Sequence, residues 1–339
     1  MAVEFIGLAT ASYRYDGDRE AAKPVDTAYL KRFCEFYEKS EYDWSLIPYG
    51  SARPDSDHIA NYIATHTERL KVMVAHRPGV TFPTHTVRTF ATLDQLSGGR
   101  VGVHVISGAQ DTETRREGDY STKAERYARA KEYIEILRRG WSDTSPHDHR
   151  GEHFRFEGFS AGSTPVRGTI PVSVGGASAD ARKLSGEAGD ISSVWGASLA
   201  ETARHISDVS SHAEAAGRPR PRFWVSFRVI MADTDAAAWA RARQIMEDVR
   251  SNFGPPASTV SEEVVDRALW TALASAAGSR SASLVGSPDT IVAALLDYVD
   301  LGCELFSLRG YDPVVDATAL DHHVLPALRQ EARRRKPAP

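Results

Sequence analysis

The chain has 339 residues, 42% of them hydrophobic and 25% charged, with a formal net charge of −4. That composition is ordinary for a globular protein, and the slight acidity leaves no electrostatic footprint for nucleic acid or an anionic membrane surface. No apolar run reaches transmembrane length, the N-terminal stretch lacks a basic segment leading into an apolar core, and only Cys34 and Cys303 occur, so both thiols are expected buried and free in a reducing cytoplasm.

Strand and helix signals alternate from the start. Residues 4–9 read as a first strand, followed by a polar loop over 12–24 and a helix capped by Asp26 that ends near residue 39. A second strand over 42–48 leads through a Gly/Pro/Ser loop (49–57) to a helix over 59–66. The third strand, 70–79, precedes a helix over 84–96, after which Gly98-Gly99 offer a left-handed C-cap free of any Cβ penalty. Arg100 opens a fourth strand that is apolar on both faces, as a buried parallel strand should be, and that ends in Ser107-Gly108. A long helix over 123–139 follows, its Tyr127, Ala130, Ile134 and Leu137 recurring at helical spacing.

Residues 141–169 break the rhythm with a loop and a hairpin-like alternation. Strands over 170–176, 190–195, 222–232 and 303–310 bring the total to eight, with helices from Ser178, over 200–216, from Asp235, over 289–301 and, closing the chain, over 319–334. The stretch from 252 to 284 is too long for a simple connection and is expected to be a partly helical insertion, with 278–283 as a mobile lid. This order predicts an α/β fold: a TIM (β/α)8 barrel in one domain over 1–339, with insertions, notably between strands seven and eight. An open doubly wound sheet is the alternative, but no Gly-x-Gly-x-x-Gly fingerprint follows strand one.

Candidate chemistry gathers at the C-terminal ends of strands. Gly175, Gly176 and then Ser178 at a helix start form either an anion site, through free N–H groups and the helix dipole, or a plain serine N-cap. Arg228 and Arg309 on strands seven and eight, with Arg53 and Arg77 near the ends of strands two and three, either converge on a sulfonate, phosphonate or carboxylate or pair with Asp55, Asp312 or Asp316. The histidines of 147–149 and His322-His323 lack a carboxylate or cysteine at ligand spacing, so no metal site is expected and they read as solvent-exposed.

The segments TLDQLSGGRVGVHVISG, VMVAHRPGVTFPT and KAERYARAKEY resemble the bacterial-luciferase-like flavin monooxygenases, and the likeness runs over about 5–328. Within that family the chain is most similar to the alkanesulfonate monooxygenases. The resemblance implies reduced FMN, delivered by a separate NAD(P)H:flavin reductase, and reaction with oxygen to a 4a-(hydro)peroxyflavin. That oxygen then goes to a small anionic organic substrate, in a homodimer or homotetramer. It assigns the flavin phosphate to the turn of Gly176 and Ser178, with Tyr127 reaching across, and sets the Ala75-His76 backbone behind the flavin ring, often through a non-prolyl cis peptide. His104 stands where the relatives carry asparagine and reads either as a donor to the ring edge or as a satisfied core histidine. Ser107, Gly108 and Trp195 complete the cofactor set. Tyr311, in RGYDP, matches the tyrosine at the family's barrel mouth and joins Arg228 and Arg309 as the catalytic candidates. The substrate frame departs: the relatives' cysteine falls at Arg53, and their Arg-x-His becomes Ser226-Phe-Arg228. The histidine of their first loop falls near Ala9, and their arginine in the insertion near Ala277. A deazaflavin-dependent hydride transferase on the same barrel and a non-catalytic flavin-binding subunit are the rival readings.

Overall fold

The computed structural model describes residues 2–13, 23–253, 264–273 and 282–335. The first half runs β1 (Glu4–Leu8), α1 (Thr27–Lys39), β2 (Trp44–Ile47), α2 (Ser56–Thr65), β3 (Lys71–His76), α3 (Pro83–Ser97), β4 (Val101–Val105), α4 (Asp111–Arg115), α5 (Lys123–Ser142), β5 (His147–Arg150) and β6 (Arg155–Phe159). The second half runs β7 (Val172–Gly175), α6 (Ala179–Ala188), β8 (Ile191–Trp195), α7 (Leu199–Ala215), β9 (Arg222–Met231) and α8 (Asp235–Phe253). It closes with β10 (Val264–Val265), β11 (Leu269–Trp270), β12 (Ser283–Gly286), α9 (Pro288–Asp300), β13 (Cys303–Arg309), α10 (Val315–His323) and α11 (Leu325–Arg334).

Strands β1, β2, β3, β4, β7, β8, β9 and β13 pair in parallel in that order, and β13 returns to β1. The sheet is therefore closed, a TIM barrel with its helices outside. All eight expected strands are present. Several helix starts have a local cause: Asp26 accepts from the N–H of Ala28 and Tyr29, and Thr122 with Glu125 forms a full capping box, as do Ser198 and Glu201. Asp55 likewise caps α2, which therefore begins at Ser56, earlier than periodicity indicated. Gly98 and Gly99 adopt φ +68° and +86°, ending α3. Arg100 then reaches back to the carbonyls of Ala64 and Thr67 at 2.8 and 2.7 Å, so a cation satisfies the carbonyl end of α2 and ties it to β4.

Two expectations need correction. The closing helix is two helices broken at Val324, because Pro326 has no N–H to continue the ladder and its ring disfavours the preceding helical turn. The insertion, expected to be helical in part, is strand and turn over 264–270 and helical at 252–253 and 272–273 among its described residues. β10 and β11 form an antiparallel pair, and β12 adds in parallel to Arg228–Met231, the half of β9 that outlasts the barrel. Residues 254–263 and 274–281, including most of the expected lid, lie outside the described residues. His147 is buried rather than exposed, its ring against Phe156 and Phe159 of the β5–β6 hairpin, and His149 bonds Glu132 at 2.8 Å. His322 and His323 are exposed, and Cys34 and Cys303 are buried free thiols whose burial pushes them up to about 11 and about 12.

Inside the barrel, Ile6, Trp44, Met73, Ile191, Trp224 and Leu305 pack into one apolar floor. Below it the strand starts are joined by charge: Glu4 accepts from Trp44 Nε1 at 2.8 Å and pairs with Arg222 at 3.3 Å, and Arg222 pairs with Glu304 at 2.5 Å. The barrel is filled from beneath, so a ligand enters only from the opposite end.

Candidate active site

Side chains alternate along a strand, so the residues two beyond the floor also point inward. Four of the six are small and buried, Ala75, Ser193, Ser226 and Ser307, and Gly175 joins them from β7, while Leu8 and Leu46 stand two beyond Ile6 and Trp44. His104, the register partner of Ala75 and Ser173, fills one side. Its Nδ1 lies 3.0 Å from Ser173 Oγ, and its ring is 4.9 Å from the ring of Trp224. Burial lowers its pKa to about 4, so the imidazole is neutral near pH 7. Its Cε1 and Nε2 stand where a Cβ on residue 175 would have to go, 2.8 Å away, so the neighbouring strand carries glycine there. The Trp224 indole N–H, just below, has no acceptor among the described residues.

His76 faces the other way. Its Nε2 lies 2.9 Å from Tyr133 Oη, its ring meets Phe90 edge-on, and burial lowers its pKa to about 4. Only its backbone borders the barrel rim. No peptide bond among the described residues is cis.

The turn after β7 brings together the residues expected to hold a phosphate. Ser178 Oγ accepts from the Ala181 N–H at 3.3 Å as the N-cap of α6, and donates to Tyr127 Oη at 3.4 Å. Gly176 has φ +132°, and a Cβ there would lie 3.0 Å from Ala181 Cβ and 3.2 Å from Tyr127 Oη. The first-turn N–H groups have no intrahelical carbonyl and present the positive end of the helix dipole. Trp195, at the end of β8, is 45% exposed.

On the far side, Arg228 and Arg309 are register partners on β9 and β13, two residues beyond Ser226 and Ser307. The Arg228 guanidinium lies over the Tyr311 ring, 4.7 Å from its centroid, and Tyr311 Oη is 3.2 Å from Ser283 Oγ. Arg53 and Arg77 do not join them. Arg53 is exposed, while Arg77, almost wholly buried, is held by Glu113 at 3.0 Å and by Glu117. Nor are Asp55, Asp312 and Asp316 the partners of these arginines: Asp55 caps α2, Asp312 accepts from Tyr13, and Asp316 binds Arg241.

Arg77 belongs to a set of residues that motif reading missed. Arg126 donates to the Ser107 carbonyl at 2.8 Å and to Asp111 at 2.8 Å, and Arg129 donates to the Pro78 carbonyl at 3.1 Å and pairs with Asp119. Tyr49, from the end of β2, donates to Glu117 beneath the Arg77 guanidinium. Together they staple the loop after β4 across the ends of β2 and β3. Gly108, at φ +79°, lets that loop leave the strand, since a Cβ there would come 2.4 Å from Thr114. The signal was the acidic run over 111–119 facing arginines elsewhere in the chain, which has no local period. A separate cleft of about 540 Å³, bordered by Met231, Arg241 and Asp316, lies between β9, α8 and α10, away from the small-residue layer.

Among solved structures, the fold is similar to that of a riboflavin lyase determined with modified FMN and riboflavin, at 18% identity and TM-score 0.80, covering 98% of this chain and 92% of that one. It is also similar to the EDTA monooxygenase from Chelativorans sp. BNC1, at 18% identity and TM-score 0.76, covering 98% and 94%. A coenzyme F420-dependent secondary alcohol dehydrogenase matches at 17% identity and TM-score 0.71, covering 97% and 99%. At these identities the likeness is one of fold. The model of the luciferase-like monooxygenases matches residues 8–305 without singling out an alkanesulfonate branch. With that match over most of its length, the chain belongs to the luciferase-like monooxygenase family.

Proposed function

We propose that the protein is a two-component monooxygenase that uses reduced FMN on a small anionic organic substrate. The observation that carries this is the turn after β7. A helix N-terminus, a serine hydroxyl and the Tyr127 hydroxyl meet around Gly176, whose bare backbone a Cβ would crowd. A phosphate monoester is the ligand that such a turn suits, because it takes N–H and O–H donors together at the positive end of a helix. The small-residue layer leaves width for a planar ring above the apolar floor, and the residues present therefore fit FMN. Gly176, Ser178 and Tyr127 would hold its phosphate. The Ala75-His76 backbone and His104 would border the ring, with Ser107, Gly108 and Trp195 at its margins.

When bound, the reduced flavin supplies the electrons that activate molecular oxygen. The chain supplies position and a dry, charged surround. His104 is neutral near pH 7 and bonds without adding charge, its orientation set by Ser173. The planar guanidinium groups of Arg228 and Arg309 suit an anionic head group. Tyr311 holds a proton at the edge of the mouth. An NAD(P)H:flavin reductase as electron donor, a homodimer or homotetramer and a cytoplasmic setting complete the proposal.

The test is a substrate screen with reduced FMN, oxygen and a reductase, read by product mass, beside direct flavin-binding measurements. Oxygenated product with tight reduced-FMN binding is expected. The F420-dependent neighbour favours one second reading, hydride transfer with a deazaflavin. A protein that binds deazaflavin and ignores reduced FMN decides for it. Flavin binding with no product from any substrate points to a non-catalytic subunit.

A further inference from the structure

Tyr311 closes the mouth on the β13 side, and one buried carboxylate holds the turn that carries it. Asp316, 5% exposed in the first turn of α10, accepts on Oδ2 from the Tyr311 N–H at 2.7 Å and the Asp312 N–H at 2.9 Å. Arg241 of α8 donates to both Asp316 oxygens, at 2.7 and 2.9 Å. The other terminal nitrogen of Arg241 donates to the carbonyl of Met231, the last residue of β9, at 3.1 Å. The turn is drawn so tightly around this carboxylate that a Cβ on Gly310 would lie 2.1 Å from Asp316 Cβ. Asp312 continues the arrangement: its Oδ1 accepts from Val314 and Val315 at 2.8 Å, and its Oδ2 from Tyr13 Oη at 2.7 Å.

We propose that Asp316 and Arg241 are positioning residues for the active site. They lock the Tyr311 turn to the end of β9 and so set the Tyr311 ring against the Arg228 guanidinium. The geometry supports this directly, because Arg241 bonds both β9, at Met231, and Asp316, which in turn holds the Tyr311 turn after β13. A buried carboxylate accepting two backbone N–H groups and a paired guanidinium holds the turn in place, since losing Arg241 leaves the Asp316 charge buried without its cation. The catalytic part of the inference rests on the function proposed above; the placement of Tyr311 does not.

The test uses Asp316→Asn, which keeps shape and one acceptor but removes the charge that holds Arg241. Amide exchange in the free protein over residues 309–313 should quicken by about tenfold or more, with β1 to β4 unchanged. With the substrate found by the screen, kcat/KM should fall by about ten- to a hundredfold. In a Tyr311→Ala background the same substitution should cost less than about threefold, because its effect passes through the Tyr311 side chain. Arg241→Lys keeps one donor, serves if Asp316→Asn fails to fold, and should give smaller changes in the same segment. Unchanged exchange over 309–313 overturns the placement. Quickened exchange with kinetic losses that simply add to those of Tyr311→Ala leaves the pair a structural support and overturns the positioning role. Wild-type protein that binds no reduced flavin defeats the function proposed above and the catalytic half of this inference, while the exchange measurement still decides the placement.

Discussion

Ser178 occupies a position where helix capping and phosphate binding ask for the same atoms. Its hydroxyl oxygen accepts from Ala181 as an N-cap and its proton points to Tyr127, so a phosphate could take over that proton without disturbing the cap. Ser178→Ala should remove a charge-assisted bond worth about 1.5–3 kcal/mol, which weakens reduced-FMN binding about ten- to a hundredfold and leaves riboflavin binding nearly unchanged. Equal losses for the two flavins, measured by fluorescence titration, would remove the phosphate from this turn. Arg228 stands at the end of the barrel over the Tyr311 ring. A guanidinium cannot act as a titrating acid or base, so its work is to clamp an anion or to steady negative charge near the flavin. Arg228→Met should raise KM about tenfold or more if it clamps substrate, with hydrogen peroxide release in the absence of substrate at the wild-type rate. If Arg228 steadies charge beside the flavin, that uncoupled release quickens even without substrate. Wild-type values of both would leave Arg228 a packing residue over the Tyr311 ring.

The loop between β4 and α5 is the element most exposed to a test. It carries little apolar burial of its own and is held by Arg77, Arg126 and Arg129 against Glu113, Glu117, Asp111 and Asp119. Arg77→Met would leave two carboxylates beside each other with no cation between them. Because both glutamates are partly solvated, the cost should fall toward the low end of the roughly 3–5 kcal/mol typical of a broken buried pair. The loss should appear locally, as proteolytic nicking over residues 107–121 with the barrel strands still protected. A loop that stays resistant would mean that the backbone turn around Gly108 suffices to hold it. Such staples could not be read from the sequence, because an ion pair between residues 36 and 40 positions apart, as Arg77 is from Glu113 and Glu117, has no period and no local composition. The barrel strands were legible because strands buried on both faces are continuous apolar runs, and the helix ends because Asp26, Gly98 and Thr122 carry their reason in their own side chains or lack of one. Tyr127 beside Ser178 was also legible, but through family resemblance alone. Pro326 was a readable break in the last helix, overridden by the apolar periodicity around it. The docking of β12 on the far half of β9 is a matter of register, which no single strand states.

The protein buries four histidines among its described residues, and three of them make its stability depend on acid in a definite way. His104 stands inside the barrel, His76 lies between β3 and the outer helices, and His205 on α7 meets Ser192 of β8 at 2.9 Å. Burial lowers all three pKa values to about 4, with the charge of Arg182 adding to the effect at His205. In the unfolded chain each would titrate near 6.5. As pH falls below about 6.5, the unfolded chain therefore takes up protons that the folded one refuses. The stability these neutral rings confer is complete above that pH, declines as it falls, and is gone below about pH 4. At about 1.4 kcal/mol per pKa unit, each ring accounts for a loss on the order of 3 kcal/mol across that window. His58 works in the opposite direction, its pKa raised by the hydrogen bond to Asp55, but that pair is solvent-exposed and screened. Asp57, raised to about 6 by burial, also opposes the trend, so urea unfolding from pH 8 to pH 4 should show stability level down to about 6.5 and then falling with a slope approaching two protons. His205→Asn should reduce that slope by one proton, since it leaves the barrel interior and the His76–Tyr133 contact untouched. A wild-type curve that is flat between pH 6.5 and 4.5 would show that the folded protein protonates these rings as readily as water does, and His104 would then not be the neutral donor that the proposed flavin site requires.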